Sequence, residues 1–412
     1  MATSRRSSLL RIAVFLSAIF CAAVYNWYTS GALFLSAPDG DLYLSIARNF
    51  LEHGRFIQTA RPYEAGMIVP PGTPLLFTLL LLVFRSERAI LVFQYLLFGV
   101  DALLCRETCS RLLSHLDERR PPLLVSALPS AIFVLLSLKI GAPNPAYPLT
   151  ETYSSFLLCL ILFLCADRRG PYTQLPILFP CLFFLILIRP ACAGFVIVFF
   201  IALFFQKKAS PLPLRILLAE AGAFLLLLGF NYYENYRECG EFVALENYGG
   251  LSVWLANNPN ADDDWYDSGR YEEVCDPDMP SIQQDDTLSY TQKNAVYSDR
   301  AMSYIRAHPG RVLRLALHRY EKMFLRSLPG ILPLFCLGLL VLGHSGILSP
   351  LQFFLYGGGF LVSSIPPAFG LLILRYASPS VPFLSIIVGI FFAFILKHIS
   401  DRFICRFSDA AE

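Results

Sequence analysis

The sequence predicts an all-α polytopic membrane protein, a bundle of about ten transmembrane helices with juxtamembrane helices on the outer face and a small exported loop region. Three observations carry this. Hydrophobic residues make up 55% of the 412 residues and charged residues only 16%, well short of the roughly 25% charge of soluble domains. The apolar residues gather in runs of about 15 to 25, the length a helix needs to cross hydrocarbon. Lysine and arginine clusters fall in alternate connections, as the positive-inside rule requires. The net charge of +2, with no basic run interleaved with aromatics, excludes a nucleic-acid partner and leaves membrane lipids as the expected surroundings.

The first run, Ile12 to Leu35, follows Arg5, Arg6 and Arg11, is long for a signal peptide, and lacks a convincing small-residue cleavage site. It is expected as an uncleaved helix with its N-terminus in the cytoplasm. Residues 36–73 then form an exported polar loop rich in charge, Pro and Gly. Pro74 to Phe84 is apolar but shorter than the roughly 17 residues needed to cross, so it is expected as an interfacial or re-entrant helix on the outer side. That choice sets the parity of everything downstream. Ala89 to Leu104 returns inward and delivers Arg106, Arg111, Arg119 and Arg120 to the cytoplasm.

The next expected spans are Leu123 to Ile140, Thr152 to Ala166, Leu175 to Ile188, Ala191 to Phe205 and Leu212 to Phe230. Their connections put Arg168, Arg169, Lys207, Lys208 and Arg215 inside. Residues 231–327 form one exported segment whose end, Arg311 to Arg326, alternates Leu and Val with Arg, His and Lys at helical spacing and is expected to lie on the outer leaflet. Leu328 to Gly343, Leu351 to Leu374 and Ser378 to Leu396 close the series, with Lys397, Arg402 and Arg406 inside. The chain thus divides into a transmembrane module over 1–230 holding the exported loop 36–88, the exported region 231–327, and C-terminal helices with a cytoplasmic tail over 328–412.

Several polar motifs have plain structural readings. Cys105 and Cys109 lack a nearby His pair and are expected as packed thiols, not metal ligands. Cys239 and Cys275 share the longest polar segment, where export permits a disulfide but sequence does not require one. Asp262-Asp263-Asp264 with Asp267 lacks the spacing of a calcium loop. Gly357-Gly358-Gly359 suits close helix packing, and His53 is either a surface side chain or a proton shuttle.

Under this topology Asp39, Asp41, Glu151, Arg189 and Arg375 all reach the outer face. Each alone also fits a snorkelling anchor at a helix end. Together, carboxylates and arginines facing one cavity suit a reaction in which a hydroxyl loses a proton and a phosphate leaves.

The run from Pro38-Asp39-Gly40-Asp41 to Leu51, then Pro70-Pro71-Gly72-Thr73-Pro74, resembles the first exported loop of GT-C glycosyltransferases, more narrowly the clan of protein O-mannosyltransferases and lipid A aminoarabinose transferases. Glu151, Arg189-Pro190, Asn257-Asn258-Pro259 and Arg375-Tyr376 follow in matching order. The resemblance implies a GT-C-like bundle and an inverting transfer of a sugar from a polyprenyl-phosphate donor to an envelope lipid, glycan or protein acceptor. It assigns Asp39 as the first carboxylate, orienting or deprotonating the acceptor, with room for a divalent ion (Mg, Mn or Zn) there, and Glu151 as the second. Tyr43, Asn257, Asn258 and Tyr376 fall in the matched motifs and are expected to contact substrate.

Two departures matter. Gly40 separates two acids that are often adjacent in the family, which leaves the choice between Asp39 and Asp41 open. Val69 stands where aminoarabinose transferases carry Lys, so Arg61, Arg189 and Arg375 are the expected donor-phosphate ligands. The expected site faces the periplasm from a bacterial inner membrane. A transporter or flippase without chemistry, and a polysaccharide polymerase using a diphosphate-linked donor, are the competing readings.

Overall fold

The structure, a computed structural model, describes residues 2–57, 67–114, 125–167, 174–205, 214–261, 282, 285–370 and 374–409. These residues are helical or connecting, with no strand among them. The helices are α1 (Ala2–Ser30), α2 (Pro38–His53), α3 (Gly72–Phe84), α4 (Arg88–Leu113), α5 (Leu128–Ile140), α6 (Thr150–Cys165), α7 (Leu175–Ile188), α8 (Ala193–Phe205), α9 (Leu214–Cys239), α10 (Gly249–Ala256), α11 (Tyr290–Ala307), α12 (Pro309–Glu321), α13 (Ile331–His344), α14 (Pro350–Phe369) and α15 (Val381–Asp409).

Among the described residues, three helical stretches are long and apolar enough to cross a membrane: Ser7–Ser30, Arg88–Leu113 and Arg375–Ile399. Pro309–Arg326 and Ile331–His344 form a further apolar pair bent by 83°, and shorter apolar helices pack among them. The protein is therefore a helical bundle of membrane-protein character.

Side-chain contacts give the helices their directions. Arg11 of α1 pairs with Glu107 near the end of α4 at 3.0 Å, whereas Asn26 of α1 donates to Tyr95 near its start at 3.0 Å, so α1 and α4 are antiparallel. Arg111 donates to the Phe163 carbonyl at 3.4 Å, which sets the ends of α4 and α6 side by side. Gln352, in the first turn of α14, donates to the Cys165 and Ala166 carbonyls at 3.1 and 3.0 Å, so α14 runs back against α6. One end of the bundle thus gathers the starts of α2 and α6 with the ends of α7 and α14. The far end holds Arg11, Arg106 and Glu107.

Tight packing between helices depends on small residues. A Cβ on Gly359 would lie 2.5 Å from the Phe383 ring of α15, one on Gly357 2.9 Å from Leu339 of α13 and one on Gly358 3.2 Å from Val198 of α8, so the run serves close helix packing, as its apolar setting predicts. Cys105 and Cys159 sit with their sulfurs 3.9 Å apart in the buried α4 and α6 interface, in keeping with packed thiols.

The structure refines several boundaries. The exported loop expected over 36–73 contains a regular helix, α2, which starts at Pro38 because proline's fixed φ and missing N–H suit a first helical position. Its apolar side packs on α3. At 13 residues, roughly 20 Å, α3 is too short for a ~30 Å hydrocarbon core. It begins against Leu187 and Ile188 at the end of α7 and is followed by Glu87, which pairs with Arg48 of α2, so both its ends lie at the same end of the bundle. The helix expected to reach Leu374 stops at Phe369, because Pro366 and Pro367 remove two backbone donors from its last turn. The amphipathic stretch over Arg311 to Arg326 is α12 followed by a π-helical turn, Lys322–Arg326.

Candidate functional site

Asp39 and Glu151 occupy equivalent places. Each is the second residue of a helix, α2 or α6, entered from an extended residue, Ala37 or Leu149, whose side chain caps nothing. A carboxylate there is favoured by the partial positive charge of the helix N-terminus. Each also holds an arginine. Arg375 donates to Asp39 Oδ2 at 2.5 Å, and Arg189 lies 3.1 Å from Glu151 Oε1 and donates to Thr150 Oγ1 at 3.3 Å. Both guanidiniums lie against one ring: their central carbons are 5.5 Å (Arg189) and 5.4 Å (Arg375) from the Tyr376 centroid. Four residues spread over more than 300 positions thus form one cluster, with Glu151 and Arg189 buried and Asp39 the most open member.

Glycines allow this convergence. A Cβ on Gly40 would fall 2.5 Å from Pro148 Cγ and 2.9 Å from its carbonyl oxygen. Only glycine lets α2 approach the segment leading into Glu151 so closely. Gly72 does the same at the end of α7, where a Cβ would meet the Leu187 carbonyl carbon at 2.7 Å, two residues before Arg189.

The cluster borders a cavity of about 680 Å³, within the usual range for small-molecule sites. Its lining combines Asp39, Glu151, Arg189, Arg375 and Tyr376 with apolar groups such as Leu42, Val69, Leu251 and Pro367. Glu246 and Tyr248 contribute further polar groups from the segment between α9 and α10. Burial, reinforced by the charges of Asp39 and Glu151, holds the Tyr43 phenol protonated well above its usual range, so Tyr43 stays a neutral hydroxyl. Arg319 of α12, fully buried, donates to the Ala256 carbonyl at 2.6 Å and the Gly370 carbonyl at 3.4 Å, tying α10 to the end of α14.

The expected site residues separate into three groups. Asp39, Tyr43, Glu151, Arg189, Arg375 and Tyr376 come together at the cavity. Asp41 does not: two residues on from Asp39 it lies roughly 200° around the helix. It lines a separate cavity of about 650 Å³ with Arg48, Glu52 and His53. Asn257 and Asn258 also differ from expectation. Asn257 donates to the Val253 and Phe369 carbonyls at 3.0 and 2.9 Å, and Asn258 to the Trp254 carbonyl at 3.1 Å, so both fasten the end of α10 and neither lines the cavity. Arg61, Cys275 and the Asp262–Asp264 run with Asp267 lie outside the described residues.

Glu246, Tyr248 and Arg319 were not singled out as site residues. Glu246 directly precedes Asn247-Tyr248-Gly249-Gly250, but nothing in its spacing marks it. Arg319 reads as one more cation on an amphipathic face.

The donor set does not suit a resident divalent ion. Asp39 and Glu151 each face a guanidinium, so a metal between them would meet two positive charges. Among the described residues no group of three His, Cys, Asp or Glu is placed to hold one. The arrangement instead offers anchored arginine forks to an anion. No protein-family model matches this chain, and no curated protein is significantly similar to it in sequence.

Proposed function

We propose that this protein is a membrane glycosyltransferase that moves a sugar from a polyprenyl-phosphate donor to an envelope acceptor, in one inverting displacement. The observation that carries the reading is the pair of arginines against Tyr376, each braced by a helix-N-terminal carboxylate, at the wall of a cavity with a large apolar part. A guanidinium has five N–H donors, so Arg189 and Arg375 can keep their carboxylates and still receive a phosphate. The N-termini of α2 and α6 add a favourable field for the anion. Negative charge grows on that phosphate as the glycosidic bond breaks, and preorganised donors there stabilise the transition state more than the ground state.

In this mechanism Asp39 and Glu151 hold the arginines in place, Tyr43 donates to the sugar or phosphate, and the apolar wall takes the first isoprene units. A ten-crossing topology with the cavity on the periplasmic side of a bacterial inner membrane suits an acceptor in the envelope. The test is purified protein in nanodiscs with radiolabelled polyprenyl-phosphate hexose and pentose and an envelope extract. Release of polyprenyl phosphate that is lost in Arg375→Ala and Arg189→Ala supports the reading; equal release by both variants would sink it.

A second reading, transport without chemistry, draws on Asp101, a carboxyl buried in the middle of α4 beside Ser155. It predicts movement of an unaltered substrate across proteoliposomes, abolished by Asp101→Asn.

A further inference from the structure

The cavity carries a third carboxyl outside the arginine cluster. Glu246 lines it from the segment between α9 and α10, as does Tyr248. Among the described residues no arginine, lysine or histidine forms an ion pair with it, whereas Asp39 and Glu151 hold guanidiniums at 2.5 and 3.1 Å. Its segment is firmly placed. Asn247 Oδ1 accepts from the Ile68 amide at 2.7 Å, the Asn247 amide donates to the Ile68 carbonyl at 3.3 Å, and Nδ2 donates to Thr291 Oγ1 at 3.1 Å. Gly250 packs so closely on α11 that a Cβ would lie 2.4 Å from the Asn294 carbonyl oxygen. Ile68 belongs to the stretch that lines the same cavity through Met67 and Val69, so this clamp fixes the carboxyl relative to the cavity wall.

A general base needs lone pairs open to the substrate and a proton affinity matched to the working pH. Asp39 and Glu151 would each have to give up an arginine to take a proton. Glu246 would not. Burial raises its carboxyl above the ordinary glutamate value, with the nearby Tyr248 hydroxyl opposing the shift. The other titratable side chains lining the cavity are Tyr43, Tyr248, Tyr290 and Tyr376, beside the Asp39, Glu151, Arg189 and Arg375 cluster, with Tyr43 and Tyr376 within electrostatic reach of Tyr248.

We propose that Glu246 is the catalytic base of the transfer, receiving the acceptor hydroxyl against the Glu246 and Tyr248 wall while the donor phosphate lies on Arg189 and Arg375. This rests on the glycosyl-transfer reading. The acceptor O–H bond breaks as its proton passes to a Glu246 carboxylate oxygen, and the acceptor oxygen bonds to the anomeric carbon. The bond from that carbon to the phosphate oxygen breaks with its electron pair remaining on the phosphate. Once product leaves, Glu246 returns the proton to water.

The experiment compares the unmodified chain, Glu246→Gln and Glu246→Asp in nanodiscs, measuring both retention of radiolabelled polyprenyl-phosphate sugar and its turnover with envelope extract across pH. Glu246→Gln is expected to bind donor within about threefold of the unmodified chain and to lose transfer by roughly 100-fold or more. In the unmodified chain, kcat/KM is expected to fall as pH drops through a value above the ordinary glutamate range, and Glu246→Asp to displace that limb. Transfer by Glu246→Gln within threefold of the unmodified chain, or parallel loss of donor binding and transfer, overturns the assignment while leaving the glycosyl-transfer reading intact. An unmodified chain that neither retains nor consumes any donor overturns both.

Discussion

Both ends of the helix bundle carry arginines and carboxylates, but they are built to different ends. At the far end Arg106 pairs with Glu107, Arg11 pairs with Glu107 at 3.0 Å, and Arg111 lies 3.6 Å over the Phe163 ring. Cations there sit near the C-termini of α4 and α6, where the helix dipole favours them, and Arg111 bonds the Phe163 carbonyl directly. At the other end, acids sit at the N-termini of α2 and α6, as the dipole again favours, but two further arginines arrive from the end of α7 and from the 3₁₀ turn Leu374–Ser380. Those arginines face a cavity. Ion pairing alone therefore does not mark a site in a membrane bundle; pairing beside enclosed space, with cations supplied beyond what the helix ends call for, does.

The largest expected effects break this contrast directly. Arg375→Ala should lower transfer by about 100-fold or more, since removing one preorganised donor to developing charge commonly costs that much, while Arg111→Ala at the far end should leave turnover within about threefold. Polyprenyl phosphate release measures both. Arg189→Ala should be doubly harmful. It removes a proposed phosphate ligand and leaves Glu151 buried without its partner, a change that costs about 3–5 kcal/mol in buried pairs. Thermal unfolding in detergent reads the second effect. The double variant Arg189→Met, Glu151→Leu should recover most of the stability and none of the transfer, which separates the structural from the chemical role of the pair.

A smaller effect is expected at the contact that brings the acids together. Gly40→Ala places a methyl group against Pro148 and should cost about 1–3 kcal/mol, with a loss of transfer larger than its loss of donor binding. The smallest effect sharpens the comparison within α2. Asp39→Asn should weaken donor binding by loosening Arg375, whereas Asp41→Asn, on the opposite side of the helix, should leave both binding and turnover within about threefold. Equal effects of the two would mean that the Arg375 contact does not distinguish them.

The acid pair illustrates how far the sequence reaches. Asp39 is legible because it follows an apolar run and Glu151 because it opens one, Arg189 because it breaks one and Arg375 because it ends one. Which of Asp39 and Asp41 faces the arginines was not legible, since it depends on α2 being a helix within a stretch whose composition reads as loop. Asn257 and Asn258 misled for the opposite reason. A conspicuous Asn-Asn-Pro run looks like a binding motif, yet its amides satisfy carbonyls at the end of α10 and on α14, a need that appears only when those helices are brought together. Glu246 had no signal at all, because the role proposed for it depends on a clamp through Ile68 and Thr291, which are 178 and 45 residues away.

The sequence by itself determined that the chain is a helical bundle of membrane-protein character, that α3 is too short to cross, and that charge gathers at helix ends. Hydrophobic run length and composition decide these, because hydrocarbon tolerates neither unpaired backbone nor unpaired charge. Only the tertiary structure decided which charges meet. Arg375 reaches Asp39 and Arg189 reaches Glu151 because glycines at 40 and 72 let helices close to contact, and such proximity depends on the packing of segments 336 residues apart in the first pair and in separate helices in the second, which no local pattern encodes.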